Sequence, residues 1–263
     1  MLWEMKEHSV IAIMGLHNIN QNWLNDLQKE IPSAKYILII DEPHISWKKL
    51  KYDHCFVSQK RQGFGGSRKT SMLLASRFGS FCVVTDGDGQ YYPETIKEIL
   101  SRLITLKKEI IIPQRMNRKL LVNIDGEIID RSSIELFETL CALELINDKH
   151  IPSNLDSQPG LFAFHSKILS KILPDDNNWL ADLEITVKAI KQTRYELLPI
   201  SIDQNKQKVT SFSWEEQKKK FKRLSQLLGT KRLWKIYEKN KNLLNLPEIV
   251  ETTLKEAINS NES

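Results

Sequence analysis

The stretch Val83-Val84-Thr85-Asp86-Gly87-Asp88-Gly89-Gln90-Tyr91-Tyr92-Pro93-Glu94 decides the fold of this chain. Phe81 to Thr85 is apolar and β-branched on both faces, the pattern of a strand buried in a covered sheet. Asp86-Gly87-Asp88-Gly89 ends it as a turn, and the two glycines let the backbone bend and a ligand approach. Pro93 suits the first residue of a helix, with Glu94 in its first turn, and the helix is expected to run to about Lys107. Two carboxylates on one tight turn after a strand suit a hard divalent cation that takes its remaining oxygens from water and phosphate. In an open α/β sheet, the carboxyl ends of the strands are where ligands bind. The plain alternative is an Asp- and Gly-rich turn with no further duty.

The same alternation extends outward. Val10–Met14, Tyr36–Ile40, His54–Val57 and Glu109–Ile112 read as strands, and 22–30 and 69–77 as helices. Alternation of this kind predicts an α/β fold, a mostly parallel sheet with helices on both faces. Beyond it, 120–129 alternates around Asp125-Gly126 as a hairpin, and 132–145 is helical. A strand at 160–164, helices at 166–173 and 180–191, and a strand at 195–202 follow. The expected division is a catalytic domain over 1–205 and a basic helical extension over 206–263.

Charge supports that division. Between Lys206 and Lys241 the chain carries a local +9 against a whole-chain +5, leaving −4 for the rest. An anionic partner for the extension follows from this asymmetry. Trp214, Phe221, Leu224 and Leu228 form one apolar helical stripe opposite lysines. Such a helix either packs on its own domain or touches an anionic membrane surface through 206–241. No nucleic-acid-binding motif is present. Cys55, Cys82 and Cys141 include no C-x-x-C pair, which argues against a zinc ribbon or disulfide framework. The apolar runs fall far short of the roughly 20 residues of a spanning helix, and the acidic N-terminus is unlike a signal peptide. The expected location is the cytoplasm, with peripheral membrane contact through the extension. Gly63 to Thr70 is one residue from a phosphate-binding P-loop, but Arg68 stands where its last glycine belongs, so a P-loop is not expected.

Thr85 to Glu94 resembles the Asp-x-Asp segment of family 2 glycosyltransferases of the GT-A type, in the dolichol-phosphate mannosyltransferase-like and polyprenyl-phosphate branch. Other segments agree in order over roughly residues 9 to 203. Asp41-Glu42 resembles the acidic pair after strand two, and Arg61-Gln-Gly63-Phe-Gly65 the Asn-x-Gly-x-Gly segment. Ile112-Pro-Gln-Arg115 is similar to the strand ending in Ser-Arg, and Asp156-Ser-Gln-Pro-Gly160-Leu-Phe to Asp-x-x-x-Gly-Phe. Leu180-Ala-Asp182-Leu-Glu184 is similar to the acidic helix. Met14-Gly-Leu-His-Asn18 departs from the usual Pro-x-Tyr-Asn-Glu, and Asp41-Glu42-Pro-His44 lacks the usual Gly-Ser.

The resemblance implies transfer of a sugar, with inversion, from a nucleotide-diphosphate sugar to a lipid phosphate or a saccharide hydroxyl. It implies Mg²⁺ or Mn²⁺ at Asp86 and Asp88. Asp41, Glu42, Arg61, Gly63, Arg68, Asp86, Gln90 and Arg115 would line the nucleotide-sugar pocket. Asp182, then Glu184 and Asp156, are the expected proton acceptors if the acceptor is a hydroxyl; a phosphate acceptor needs none. A helix-capping role for Asp182 is the alternative. Rival functions are a sugar-phosphate nucleotidyltransferase and a catalytically silent anion- or lipid-binding protein of the same fold.

Overall fold

The computed structural model describes residues 8–15, 19–41, 48–116, 121–175, 180–204 and 210–259. In chain order the elements are β1 (Ser9–Gly15), α1 (Gln21–Glu30), β2 (Lys35–Ile40), β3 (His54–Val57), α2 (Gly63–Phe78), β4 (Phe81–Asp86), α3 (Pro93–Thr105) and β5 (Ile110–Arg115). There follow β6 (Leu121–Ile124), β7 (Glu127–Asp130), α4 (Ser132–Ile146), β8 (Leu161–His165), a 3-10 turn (Ser166–Ile168), α5 (Leu169–Ile172), α6 (Ala181–Gln192) and β9 (Tyr195–Ile200). The last are β10 (Thr210–Phe212), α7 (Trp214–Leu228), α8 (Thr230–Leu244) and α9 (Glu248–Asn259).

Two compact units result, Met1–Arg118 with Gln158–Gln207, and Lys119–Ser157 with Lys208–Ser263. The first holds a seven-stranded sheet in the order β3-β2-β1-β4-β8-β5-β9. All its pairings are parallel except those of β8, which runs antiparallel between β4 and β5. The reason lies in the connection. β5 ends at the carboxyl edge, and the next strand of this sheet, β8, begins at that same edge. Strand β8 therefore starts where β4 ends, with Leu161 in register with Thr85. The strand interiors of β1, β2 and β4 are almost wholly buried, with Ile11, Leu38 and Val83 at 0% exposure. Trp23, Leu24 and Leu27 of α1 and Ile96, Ile99 and Leu103 of α3 belong to the same apolar core.

Helix α2 begins six residues earlier than its periodicity predicts. Its first turn is secured from a distance: Gln62 N and Gly63 N donate to the Asp41 carboxylate at 2.7 and 2.9 Å. Because Gly63 onward is helix, this segment is not a phosphate-cradling loop.

The second unit differs from the expected extension by including 119–157. The hairpin β6–β7 is completed by β10, which pairs with β6 in parallel. Phe137 of α4 meets Phe221 of α7 edge-on at 5.9 Å between centroids. Phe221, Leu224 and Leu228 are buried as the stripe requires. Lys220 is also buried, and its ammonium lies 2.5 Å from the buried Glu138 carboxylate. The helix is thus packed inside its own unit along this face. Among the described residues no helix is long and apolar enough to cross a membrane.

Candidate active site

Strands β1 and β4 are neighbours, yet the chain leaves β1 toward β2 on one side and β4 toward the β8–β5–β9 side on the other. Their carboxyl ends thus flank a topological switch point, where α/β sheets open a crevice. Asp86 is the last residue of β4 and is paired in register with Met14. The turn after it is tied down from several sides. Gly87 N donates to Met14 O at 2.9 Å, and Asn20 N donates to Gly87 O at 2.8 Å. Gln90 N donates to Asp88 Oδ1 at 3.0 Å, and the indole Nε1 of Trp23 donates to Tyr91 O at 2.6 Å. The buried Tyr91 hydroxyl donates to the carbonyl of Pro159, joining this turn to the start of β8.

Beneath the turn lies a fully buried guanidinium. Arg68 Nε donates to Asp182 Oδ1 at 2.8 Å, and Arg68 Nη2 donates to Asp182 Oδ2 at 3.3 Å. The same Nη2 donates to Asp86 Oδ1 at 3.1 Å and to Gly160 O at 3.0 Å. Phe64 and Phe162 lie 5.2 and 5.9 Å from the guanidinium carbon. Burial alone would lower the Arg68 pKa, but Asp182 and Asp86 outweigh it and hold the group charged. Asp182 Oδ2 also accepts from Gly160 N at 3.0 Å. A helix start, a strand end and a strand beginning are thus held by one ionic knot.

Gly160 is required there. Its φ is +74°, and a Cβ would sit 2.9 Å from Asp86 Oδ2 and 3.0 Å from the Tyr91 hydroxyl. Asp86 keeps 23% side-chain exposure. Burial pushes its pKa up to about 7; Arg68 opposes this, Asp88 and Asp182 add to the rise, and Arg115 opposes it. The net rise comes from burial, with the nearby charges of both signs opposing one another.

The other expected site residues divide clearly. Arg115 joins the cluster: its Nη2 donates to Gln158 O at 2.5 Å, and its charge acts on Asp86. Gln90 is 5% exposed, and its Oε1 is buried with no hydrogen-bond partner among the described residues. Arg61 is exposed on the approach to α2. Gly63, with φ +73°, is the α2 start that Asp41 holds, so both Asp41 oxygens serve the backbone. Glu42 lies outside the described residues. Asp182 meets Arg68 and Gly160 with its two oxygens, which gives it a bracing geometry rather than that of an available base. Arg68 is likewise turned inward to carboxylates, not toward solvent. Glu184, 3% exposed, accepts from Asp175 N at 3.1 Å and is not part of the Arg68 knot. Asp156 is buried at 2% exposure and belongs to the second unit. Gly160, Tyr91 and Trp23 also hold the site, beyond the residues expected to line it. The Pro159-Gly160 step at a strand start was the available signal for Gly160; nothing local marks the other two.

Among the described residues, no three His, Cys, Asp or Glu side chains converge as a ready-made ion site. Two hard carboxylates on one turn fit a divalent cation that arrives with further oxygens from a ligand.

No protein-family model matches the chain, and no curated protein matches it by sequence. Solved structures do. Glucosyl-3-phosphoglycerate synthase from Mycobacterium tuberculosis, solved with Mg²⁺ and UDP, aligns with a TM-score of 0.54 at 12% identity, over 75% of this chain and 70% of that one. The fold is GT-A-like. The same synthase with Mn²⁺, UDP and phosphoglyceric acid gives a TM-score of 0.53 at 9% identity, over the same shares of the two chains, 75% and 70%. The bifunctional IspDF from Campylobacter jejuni aligns less well, with a TM-score of 0.46 at 15% identity over 78% of this chain. The chain spans about half of that protein's length, 52%. At these identities the likeness is one of fold.

Proposed function

We propose that this chain is a metal-dependent glycosyltransferase that moves a sugar from a nucleotide-diphosphate sugar, with inversion, to a phosphate-bearing lipid or a saccharide. The observation that carries this reading is the position of Asp86 and Asp88. They stand at the carboxyl edge of β4, at the switch point of a GT-A-like sheet, on a turn fixed by Trp23, Tyr91 and Gly160. The order of motifs from Asp41 to Glu184 supports the polyprenyl-phosphate branch. That the synthase of similar fold was solved with Mg²⁺ or Mn²⁺ and UDP supports the choice of ion and leaving group.

Asp88 and Asp86 would hold the ion, and a bound Mg²⁺ or Mn²⁺ supplies Lewis-acid neutralisation of a departing diphosphate. Arg68 fixes Asp86 in the orientation that presents its second oxygen beside Gly160. Arg115 adds positive charge at the same edge, and Arg61 is an exposed cation on the approach to α2. Asp182 and Glu184 are engaged with Arg68 and with backbone. A site whose inner carboxylates are so occupied favours an acceptor that arrives already ionised, which is a phosphate. Helix α8 exposes Lys231, Lys235 and Lys239 at one-turn spacing, with Leu243 at 66% exposure, which supports peripheral contact with an anionic membrane.

Calorimetric titration with UDP and GDP, with and without Mn²⁺, tests the reading. Nucleotide binding strengthened by the ion in the wild type and not in Asp88→Ala is the expected result. Ion-independent binding, or none, would overturn it and favour a silent anion-binding protein.

A further inference from the structure

At the end of the sheet opposite Asp86 lies a cleft of about 660 Å³, lined by Leu106, Lys107, Lys108, Thr193, Arg194 and Tyr195. Lys107 and Lys108 precede β5, and Arg194 precedes β9. Because β5 and β9 run parallel to β4, these residues sit at the amino edge, roughly 20 Å from the Asp86 turn for a six-residue strand.

The charge here is one-sided. Glu109 is the acid beside the cleft: it accepts from Arg194 N at 3.1 Å, and its backbone N donates to Arg194 O at 2.7 Å. Its carboxylate lies 3.7 Å from the Arg194 guanidinium, and Lys171 and Lys167, from the segment after β8, also act on it. Arg194, Lys171 and Lys167 thus act on one carboxylate, and Lys107 and Lys108 line the cleft beside it. Like charges gathered around a cleft raise the local potential and draw anions to it. The Thr193 hydroxyl donates to Ala189 O at 2.7 Å, so it has no proton left for a ligand, and recognition falls to the cations.

We propose that this cleft is a second binding site, for a phosphate-bearing anion, separate from the nucleotide-sugar site and independent of the reading given to it. Lysines 107 and 108 act as point charges on the phosphate, and Arg194 presents the forked guanidinium that matches its oxygens. A concave floor of this kind takes a discrete phosphate group, either a free phosphoanion or a lipid headgroup, and its distance from Asp86 suits an effector or a tether.

The test uses full-length protein carrying Asp88→Ala, without divalent ion, so that the proposed donor site is silent. Pyrophosphate is titrated by calorimetry, and vesicles containing phosphatidic acid are tested by co-sedimentation. Lys107→Glu with Lys108→Glu is compared with Lys29→Glu with Lys97→Glu, an equal change of net charge elsewhere on the same unit. Saturable pyrophosphate binding weakened about tenfold or more by the first pair and not the second supports a free phosphoanion. Loss of vesicle binding with the first pair alone supports a headgroup. If both pairs weaken binding equally, or neither does in either assay, the proposal is overturned. Circular dichroism of the exposed-lysine variants confirms that they fold.

Discussion

Arg68 and Asp182 meet through a forked pair of hydrogen bonds, Nε to Oδ1 at 2.8 Å and Nη2 to Oδ2 at 3.3 Å, with their side chains at 0% and 1% exposure. A charge pair so thoroughly removed from water is held by geometry, because desolvation consumes most of the Coulombic gain. Here the geometry extends to Asp86 through the same Nη2. The knot therefore transmits the position of α2 and α6 to the carboxylate at the sheet edge. Removing the cation leaves the buried Asp182 and the partly exposed Asp86 without it. Arg68→Met is expected to cost about 3–5 kcal/mol in urea denaturation, and Arg68→Lys less, since charge remains but the fork is lost. A cost under about 1 kcal/mol for Arg68→Met would show that the knot is not structural.

The contact of Gly160 with Asp86 leads to a second expectation. An added methyl must enter a space 2.9 Å from Asp86 Oδ2 while the backbone holds φ at +74°. The left-handed conformation alone costs a side-chain-bearing residue about 1–2 kcal/mol. Gly160→Ala should lower thermal stability by at least that amount and displace Asp86, weakening ion-dependent UDP binding in the same variant. Retention of both properties would mean that the Asp86 orientation does not depend on this approach.

The pH dependence of stability follows from Asp86. Its pKa stands at about 7 in the folded protein against 3.8 for the free group, chiefly because of burial. The folded state therefore holds this proton more tightly than the unfolded chain does. Stability from this source is full below the unfolded value and is lost as pH rises through the folded one. Wild type should lose stability relative to Asp86→Asn between about pH 4 and about pH 7, with the difference level above. Melting temperatures of both proteins across that window check the sign; a wild type that gains on the variant as pH rises would contradict it.

Much of this arrangement is legible in the chain because it is local. The strand ending at Asp86, the turn and the helix opening at Pro93 lie within one short segment, and hydrophobic pattern and turn chemistry specify all three. The parts that were not legible depend on distant partners. Arg68 reads as a cation of the nucleotide-sugar pocket because its partner Asp182 is 114 residues away. The true start of α2 is set by Asp41, 21 residues before Gln62. Lys220 reads as one of the solvated lysines opposite the apolar stripe, whereas it is buried against Glu138 on α4. Strand β10 has three residues, too few for any periodicity to announce it.

Asp41 offers a test of that non-local capping. It is fully buried, and both its oxygens accept from the first amides of α2. Asp41→Ala leaves two backbone donors without their acceptor and should cost about 1–3 kcal/mol. Hydrogen exchange should quicken at the amides of Gln62 and Gly63 before it does in β4. Unchanged exchange there would return Asp41 to the nucleotide pocket as its principal duty.

The buried pair Lys220–Glu138 supports a last expectation, about the second unit. The side chains are 4% and 0% exposed, so neither charge has bulk water to fall back on. Removing one partner leaves the other charged in the interior, at a cost of about 3–5 kcal/mol, whereas replacing both with apolar groups of similar size is often close to neutral. Lys220→Met and Glu138→Leu should therefore each destabilise strongly, and the double variant should recover most of the loss. A double-mutant cycle by urea denaturation measures the coupling. Additive losses would mean that the two residues answer to separate partners and that the α4–α7 packing rests on Phe137 and Phe221 instead.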